Sequence, residues 1–361
     1  MKPVTLADVG RKAKVSTSLA SLVLSGKYQG RCTPETADEV LKAAEQLGYR
    51  ANRLARGLRK QSTRVLGLLS IEVATRPYAG AMIMAAQQEA RLKDYDLLFA
   101  EVENNPEAIA QGFNLMAEHQ AEGVLIFSYF HQSIELPTNI PKNIVVANGY
   151  DSENRYDSFV PNERESFSQV LDLIGEAGHR EVAFVTDASN FPAATERYRA
   201  FQDAAKKYGW TKNPGLIERS MVTDASSGYE STNKILRNFP EVTAVVAFND
   251  QLAMGAYQAA KELNLRIPED LSIAGFDDLN LISAGLRPGL TTVRLPHFEM
   301  GKLAVERLIQ ICESEDELSR KKVEILCDLI QRQSISGPRV GKLEFKKASA
   351  EKNKQTRIGN D

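Results

Sequence analysis

Between residues 65 and 274, short apolar runs alternate with longer segments whose apolar residues recur every three to four positions. The short runs cover 65–71, 95–102, 123–127, 181–186, 243–248 and 271–274. The longer segments cover 80–93, 106–119, 163–177, 192–208, 226–238 and 250–263. Short, uniformly apolar runs predict strands buried on both faces, and their alternation with helices predicts doubly wound parallel sheets. The pattern runs in two blocks, before and after Tyr150. Two blocks predict two α/β lobes with a ligand cleft at the carboxyl ends of their strands. The alternation does not say which ligand.

Charge separates the rest of the chain from this body. The 361 residues carry 45 Lys and Arg against 47 Asp and Glu, a net of −2. Residues 1–60 carry a net +7, residues 61–338 a net −13 and residues 339–361 a net +4. A basic head on an acidic body predicts that the head alone meets a polyanion. Charge by itself fits a solvated helical head equally well, so the head must be read residue by residue.

The head reads as three short helices. Thr5 caps the first, with Leu6, Val9 and Ala13 at helical spacing and Asp8 at the capping-box position. After a turn at Lys14 and Val15, Ser16 caps a second helix over 17–24. Thr33 and Pro34 open a third, which Gly48 stops. Two helices joined by a short turn and buttressed by a third form a helix-turn-helix arrangement, with an ordinary three-helix bundle as the alternative. The second helix begins with Ser16, Thr17 and Ser18, small hydroxyl side chains that let a helix N-terminus approach phosphates and base edges. Residues 52–60 follow with Arg53, Arg56, Arg59 and Lys60, a basic segment too short for a stable isolated helix.

The stretches 1–26, 31–36 and 47–58 resemble the DNA-binding domain of the LacI/GalR transcriptional regulators, with Asn52, Ala55 and Leu58 at the spacing of that family's hinge motif. The resemblance continues through Gly178-His179-Arg180, Asn249-Asp250, Gly275-Phe276-Asp277-Asp278 and Leu290-Thr291-Thr292, and so covers nearly the whole chain. It implies an α/β protein with an N-terminal all-α helix-turn-helix head and hinge helix. A two-lobed periplasmic-binding-protein-like core with doubly wound parallel sheets follows. The implied divisions are a head at 1–49, a hinge at 50–62, a core at 63–338 and a basic disordered tail at 339–361. Within the core, one subdomain takes 63–161 and 295–322 and the other 162–292 and 323–338.

The family resemblance also implies site residues. Thr5, Leu6, Ser16, Thr17, Ser18, Ser21, Leu22, Thr33, Thr36, Asn52, Ala55 and Leu58 are expected at DNA, with Leu58 as a minor-groove wedge. Three positions depart from the family pattern: Leu22 replaces a base-reading Arg, Lys14 a turn glycine and Leu19 a polar phosphate contact. Leucine forms no bidentate bond to guanine, so the half-site read differs. Tyr78, Asn148, Arg197, Asn249 and Asp277 are expected to hold a small effector, a sugar or sugar derivative, between the lobes. Asp277 and Asn249 also have simpler readings, as a turn cap and a helix cap.

The expected activity is sequence-specific transcriptional regulation, as a homodimeric repressor on a pseudo-palindromic operator. A stand-alone sugar-binding protein is disfavoured by the basic head and the missing apolar leader. A sugar enzyme is disfavoured because no P-loop, GxSxG or GxGxxG follows a strand. His119, His131, His179 and His297 lack metal-ligand spacing, and Cys32, Cys312 and Cys327 form no CxxC pair, so no metal or cofactor is expected. His179 reads as structural. Without an apolar run long enough to span a bilayer, the expected setting is the cytoplasm, with no membrane partner.

Overall fold

The computed structural model describes residues 4–49, 62–74, 80–316 and 318–343. It divides into two compact units, Met1–Arg64 and Val65–Asp361.

In the first unit, α1 (Leu6–Lys12), α2 (Thr17–Leu24) and α3 (Pro34–Leu47) each begin at the expected hydroxyl cap. Thr5 and Asp8 complete a reciprocal capping box, and Ser16 and Thr33 accept from Leu19 N and Thr36 N. Each cap is worth about 1 kcal/mol to a helix too short to persist alone. Gly48 ends α3 in the left-handed region at φ 64°. Val9, Ala20, Val23, Ala37, Val40 and Ala43 form the core. A Cβ on Gly10 would meet the Val15 carbonyl at 3.0 Å, so the missing side chain lets the turn fold back onto α1. Lys14, in that turn, sits at φ 55°, which explains why a glycine suits the position.

The second unit holds two parallel sheets. Its elements begin with β1 (Val65–Ile71), α4 (Gly80–Leu92), β2 (Asp96–Val102) and α5 (Pro106–Glu118). Next come β3 (Gly123–Ile134), β4 (Ile144–Asp151), β5 (Asp157–Pro161) and α6 (Glu163–Glu176). The second sheet then forms from β6 (Val182–Asp187), α7 (Pro192–Tyr208), β7 (Ile217–Ser220), α8 (Ala225–Asn238), β8 (Ala244–Ala247), α9 (Asp250–Glu262) and β9 (Ser272–Ala274). A short α10 (Asn280–Ser283) and β10 (Thr292–Arg294) precede α11 (His297–Glu313), β11 (Lys322–Ile325) and β12 (Asp328–Ile330). The six-stranded sheet runs β11-β5-β4-β3-β1-β2 and the four-stranded sheet β7-β6-β8-β9, all parallel, while β10 and β12 form an antiparallel ribbon.

Apolar strands buried on both faces give the first sheet a core on each side, around Leu66, Leu68 and Phe127 on one and Leu69, Ile109 and Ile126 on the other. The second lobe packs Phe167, Phe184, Phe201 and Trp210 into one cluster. The chain passes between the sheets after β5, after β10 and after β11. The last passage corrects the expected division at residue 322. Residues 322–325 pair with 158–161 as the edge strand of the first sheet, so the crossing falls beyond Ile325. Strand β4, the short strands β5, β7, β10, β11 and β12, and helices α10 and α11 are also unmarked by the alternation.

His179 is buried, with Nδ1 2.8 Å from Thr243 Oγ1 and Nε2 2.8 Å from the Ser336 carbonyl, which matches its structural reading. Burial holds its imidazole below the usual histidine range, against the pull of the Ser336 carbonyl.

Candidate DNA-reading surface and ligand cleft

In the head, Thr5, Ser16, Thr17, Ser18 and Thr33 are exposed, while Ser21, Leu22 and Thr36 are half-buried. The hydroxyls of Ser16 and Thr33 already accept from their own helices. Thr17 and Ser18 occupy the first turn of α2, where backbone N–H groups point away from the helix. Leu6 and Leu19 pack against the head core. Their apolar surface serves folding, which accounts for leucine at position 19 and weighs against Leu6 as a reading side chain. Asn52, Ala55 and Leu58 lie outside the described residues.

The cleft is built at the carboxyl ends of the two parallel sheets. Strands β3 and β4 keep register as far as Phe127 and Ala147 and resume it at Gln132 and Gly149. Four residues on β3, 128–131, therefore face Asn148 alone. Asn148 sits at φ 54°, and its side-chain amide donates to the Ser128 carbonyl (3.0 Å) and the Tyr129 carbonyl (2.7 Å). The outpouching carries Tyr129, Phe130 and His131 into the cleft. Asn148 was expected to hold ligand. Both hydrogens of its amide are committed to backbone, so it lines the cleft chiefly as a positioning residue.

From the second lobe, α6 supplies Glu163, α7 supplies Ala193 and Arg197, the loop before α8 supplies Thr223, and the ends of β8 and β9 supply Phe248, Asn249, Asp277 and Leu279. The segment entering α11 adds Leu295 and His297. Arg197, Asn249 and Asp277 thus meet around one cavity with Asn148, while Tyr78 lies outside the described residues. Asn249 caps α9, accepting from Leu252 N (2.8 Å) and donating to the Thr223 carbonyl (3.1 Å). Both its simpler reading and its cleft position hold.

Arg197 is 3% exposed and heavily partnered. Its Nε donates to Glu163 Oε2 (2.8 Å) and its Nη1 to the Phe248 carbonyl (2.6 Å). The guanidinium lies 3.6 Å from the Phe276 ring centroid and 4.4 Å from that of Phe248. Its contact with Asp277 Oδ1 is longer, 3.8 Å. Burial works against the charge on Glu163, but Arg197 and His131 outweigh it and hold that carboxyl below its usual range. Asp277 has the opposite balance. Burial raises its carboxyl to about 7, Arg197 pulls it back only in part, and Glu163 adds to the rise. Behind it, buried Asp250 accepts from Thr292 Oγ1 (2.6 Å) and Leu279 N (2.7 Å), and burial pushes its carboxyl well upward, with Asp277 adding to the rise.

Asp277 itself has φ 109°, held by its N–H donating to the Val293 carbonyl (2.8 Å). Its neighbour Asp278 accepts from Arg294 Nε (2.9 Å), Arg332 Nη2 (2.7 Å) and Ser283 Oγ (2.7 Å). Sequence reasoning missed Glu163, His131 and His297 as cleft residues. No local motif marks them: Glu163 meets Arg197 and His131 across more than 30 residues of chain, and His297 joins the cavity only through the fold.

Comparison with known proteins now fixes the relationship. The family description "Bacterial regulatory proteins, lacI family" matches residues 5–52, and "Periplasmic binding protein-like domain" matches residues 172–335. The HTH-type transcriptional regulator AscG of Escherichia coli (strain K12) is 32% identical over 339 residues, spanning 92% of this chain and 99% of the relative. This chain belongs to the lacI family. The ribose operon repressor of Haemophilus influenzae is 30% identical, across 88% of the chain and 95% of that protein. Among solved structures, the lac repressor dimer bound to operator and the anti-inducer ONPF superposes with a TM-score of 0.76 at 22% identity, covering 93% of this chain and 100% of the other. That likeness shows a common fold.

As a lacI-family member, the protein is a DNA-binding transcriptional regulator modulated by an effector. No helix among the described residues is long and apolar enough to cross a membrane.

Proposed function

We propose that this lacI-family protein is a homodimeric repressor that grips a pseudo-palindromic operator through residues 1–49 and the hinge at 50–62, and releases or tightens that grip when a sugar or sugar derivative occupies the cleft. One observation carries the reading. Arg197 from α7, with Asn249 and Asp277 from beyond the ends of β8 and β9, lines one cavity in a chain whose head presents the first turn of α2 to solvent. A helix start with small hydroxyls suits a phosphate and a base edge, and twofold symmetry doubles the contacts one head makes. The relatives fit this reading: one is named a ribose operon repressor, and one solved neighbour is a CelR–cellobiose complex. The chain is read as a cytoplasmic regulator without catalytic activity, its relatives being named as regulators.

The coupling follows from the architecture. A ligand shifts DNA affinity only by binding two lobe arrangements unequally. The cavity between these side chains measures about 50 Å³, far below the several hundred Å³ of an ordinary ligand pocket. A sugar therefore enters an arrangement with the lobes further apart. Selecting bound fragments from random duplex DNA, then repeating the gel shift across a sugar panel, tests the reading. Failure to retain any specific duplex as a dimer would overturn it.

A further inference from the structure

Two histidines, His131 and His297, face the cleft. His131 comes from the outpouching of β3 and is 8% exposed. Its Nδ1 lies 3.4 Å from Glu163 Oε1, yet neither ring nitrogen makes a hydrogen bond among the described residues. His297 starts α11 where the chain re-enters the first lobe, and its Nε2 is likewise buried without a partner. Buried polar atoms are nearly always paired, so unpartnered imidazole nitrogens on two residues lining one cavity call for an explanation. Both rings line the same cavity as Arg197 and Asp277.

The charges around them are already balanced. Arg197 spends its Nε on Glu163 at 2.8 Å and a second nitrogen on a carbonyl, so its positive charge is answered inside the protein. Asp277 faces the cavity, and no side-chain hydrogen bond to it is found among the described residues; its carboxyl adds negative character if anything. A phosphate or carboxylate entering here would meet the Glu163 and Asp277 carboxyls, while Arg197, the arginine of the cavity, is already paired with Glu163. Asp277 and two imidazoles offer groups that accept or donate according to protonation, which is what hydroxyls need. The apolar walls of Phe130, Phe248 and Leu295 suit the faces of a sugar ring.

We propose that His131 and His297 contact the effector directly, and that the cleft admits an uncharged polyhydroxylated ligand, a sugar carrying neither phosphate nor carboxylate. This rests on the reading of the cleft as the effector site and narrows its ligand. His131 sits on the first lobe and Glu163 on the second, so a ligand hydroxyl that replaces Glu163 beside His131 also parts the lobes. The stack of Phe130 on Phe191, with centroids 5.5 Å apart, opens in the same movement.

The test uses the full-length protein and a defined panel: pentoses, hexoses and disaccharides, together with the pentose 5-phosphates, the hexose and disaccharide 6-phosphates and the matching uronic acids. Thermal shift finds binders and calorimetry measures them. The expected result is binding by one or more neutral members, with at least tenfold weaker binding of the matching phosphate and uronate. His131→Phe and His297→Phe should each weaken the neutral binder by about 10- to 100-fold, and His297→Gln should recover part of the loss. Unfolding temperature and ligand-free operator binding establish that each variant is folded. Tighter binding of the charged members, or unchanged affinity in both folded Phe variants, overturns this inference and leaves the cleft as effector site intact. If Asp277→Ala fails to disturb any binder found, the effector-site reading falls as well.

Discussion

Glu163 and Arg197 meet at 2.8 Å inside the cleft, from the starts of two consecutive helices of the second lobe, with side chains 2% and 3% exposed. Neither charge has water to fall back on. Removing one partner strands the other, a loss of about 3–5 kcal/mol. Glu163→Ala should therefore lower the urea midpoint markedly, whereas the double replacement Glu163→Gln with Arg197→Met should cost less than Glu163→Ala alone. A double variant as unstable as the sum of the singles would show that packing against Phe248 and Phe276, and not charge pairing, sets the cost.

The carboxyl of Asp277 titrates near 7 in the folded protein against 3.8 ordinarily. The folded chain thus holds this proton more tightly than the unfolded chain between these limits, so the stability it contributes is present below about pH 4 and is lost as pH rises through 7. His297 works in the opposite sense. Its folded value of about 4 lies below the ordinary 6.5, so its contribution is present above pH 6.5 and is lost as pH falls toward 4. Asp277→Asn should remove only the first effect. Relative to the parent, the variant gains stability from pH 5 to pH 8, by about 3 kcal/mol. Unfolding midpoints of both proteins across that range check it, and parallel curves would refute the assignment.

Lys14 holds a left-handed backbone at φ 55° in the turn between α1 and α2. Lys14→Gly should relieve that strain and stabilise the head by about 0.5–1 kcal/mol, offset in part by the greater freedom of the unfolded chain. Slower amide exchange across residues 6–47, without a change elsewhere, is the expected signature.

At the DNA surface, Leu22→Arg should restore a bidentate guanine contact and favour guanine at one position in each half-site by about 1–3 kcal/mol. Leu58→Ala should weaken operator binding and spare the salt-dependent non-specific mode, since Arg53, Arg56 and Arg59 remain. Selected-site profiles with and without each change, at two salt concentrations, separate these effects.

Local chemistry made much of this protein readable from its sequence. Thr5, Ser16 and Thr33 cap the head helices because short hydroxyls bond the first free N–H groups, an effect contained within four residues. Residues 192–208 form a helix with the expected ends because Pro192 opens it and Gly209 closes it. What escaped depends on distance along the chain. Strand β11 has alternating burial and no continuous apolar run, and only its pairing with β5 makes it a strand. Glu163, His131 and His297 became cleft residues only when two sheets met. Asn148 lines the cleft, but its backbone-holding role depends on a four-residue outpouching that no periodicity announces.

The position of Asp278 carries a mechanical consequence. This one carboxylate ties the loop bearing Asp277 to Arg294, in the second passage between the lobes, and to Arg332, just past the strand that follows the third. A displacement of Asp277 inside the cleft would be passed one residue on, to side chains that border two of the three crossings. The carboxyl that faces the cavity and the carboxyl that anchors the crossings thus sit on adjacent residues.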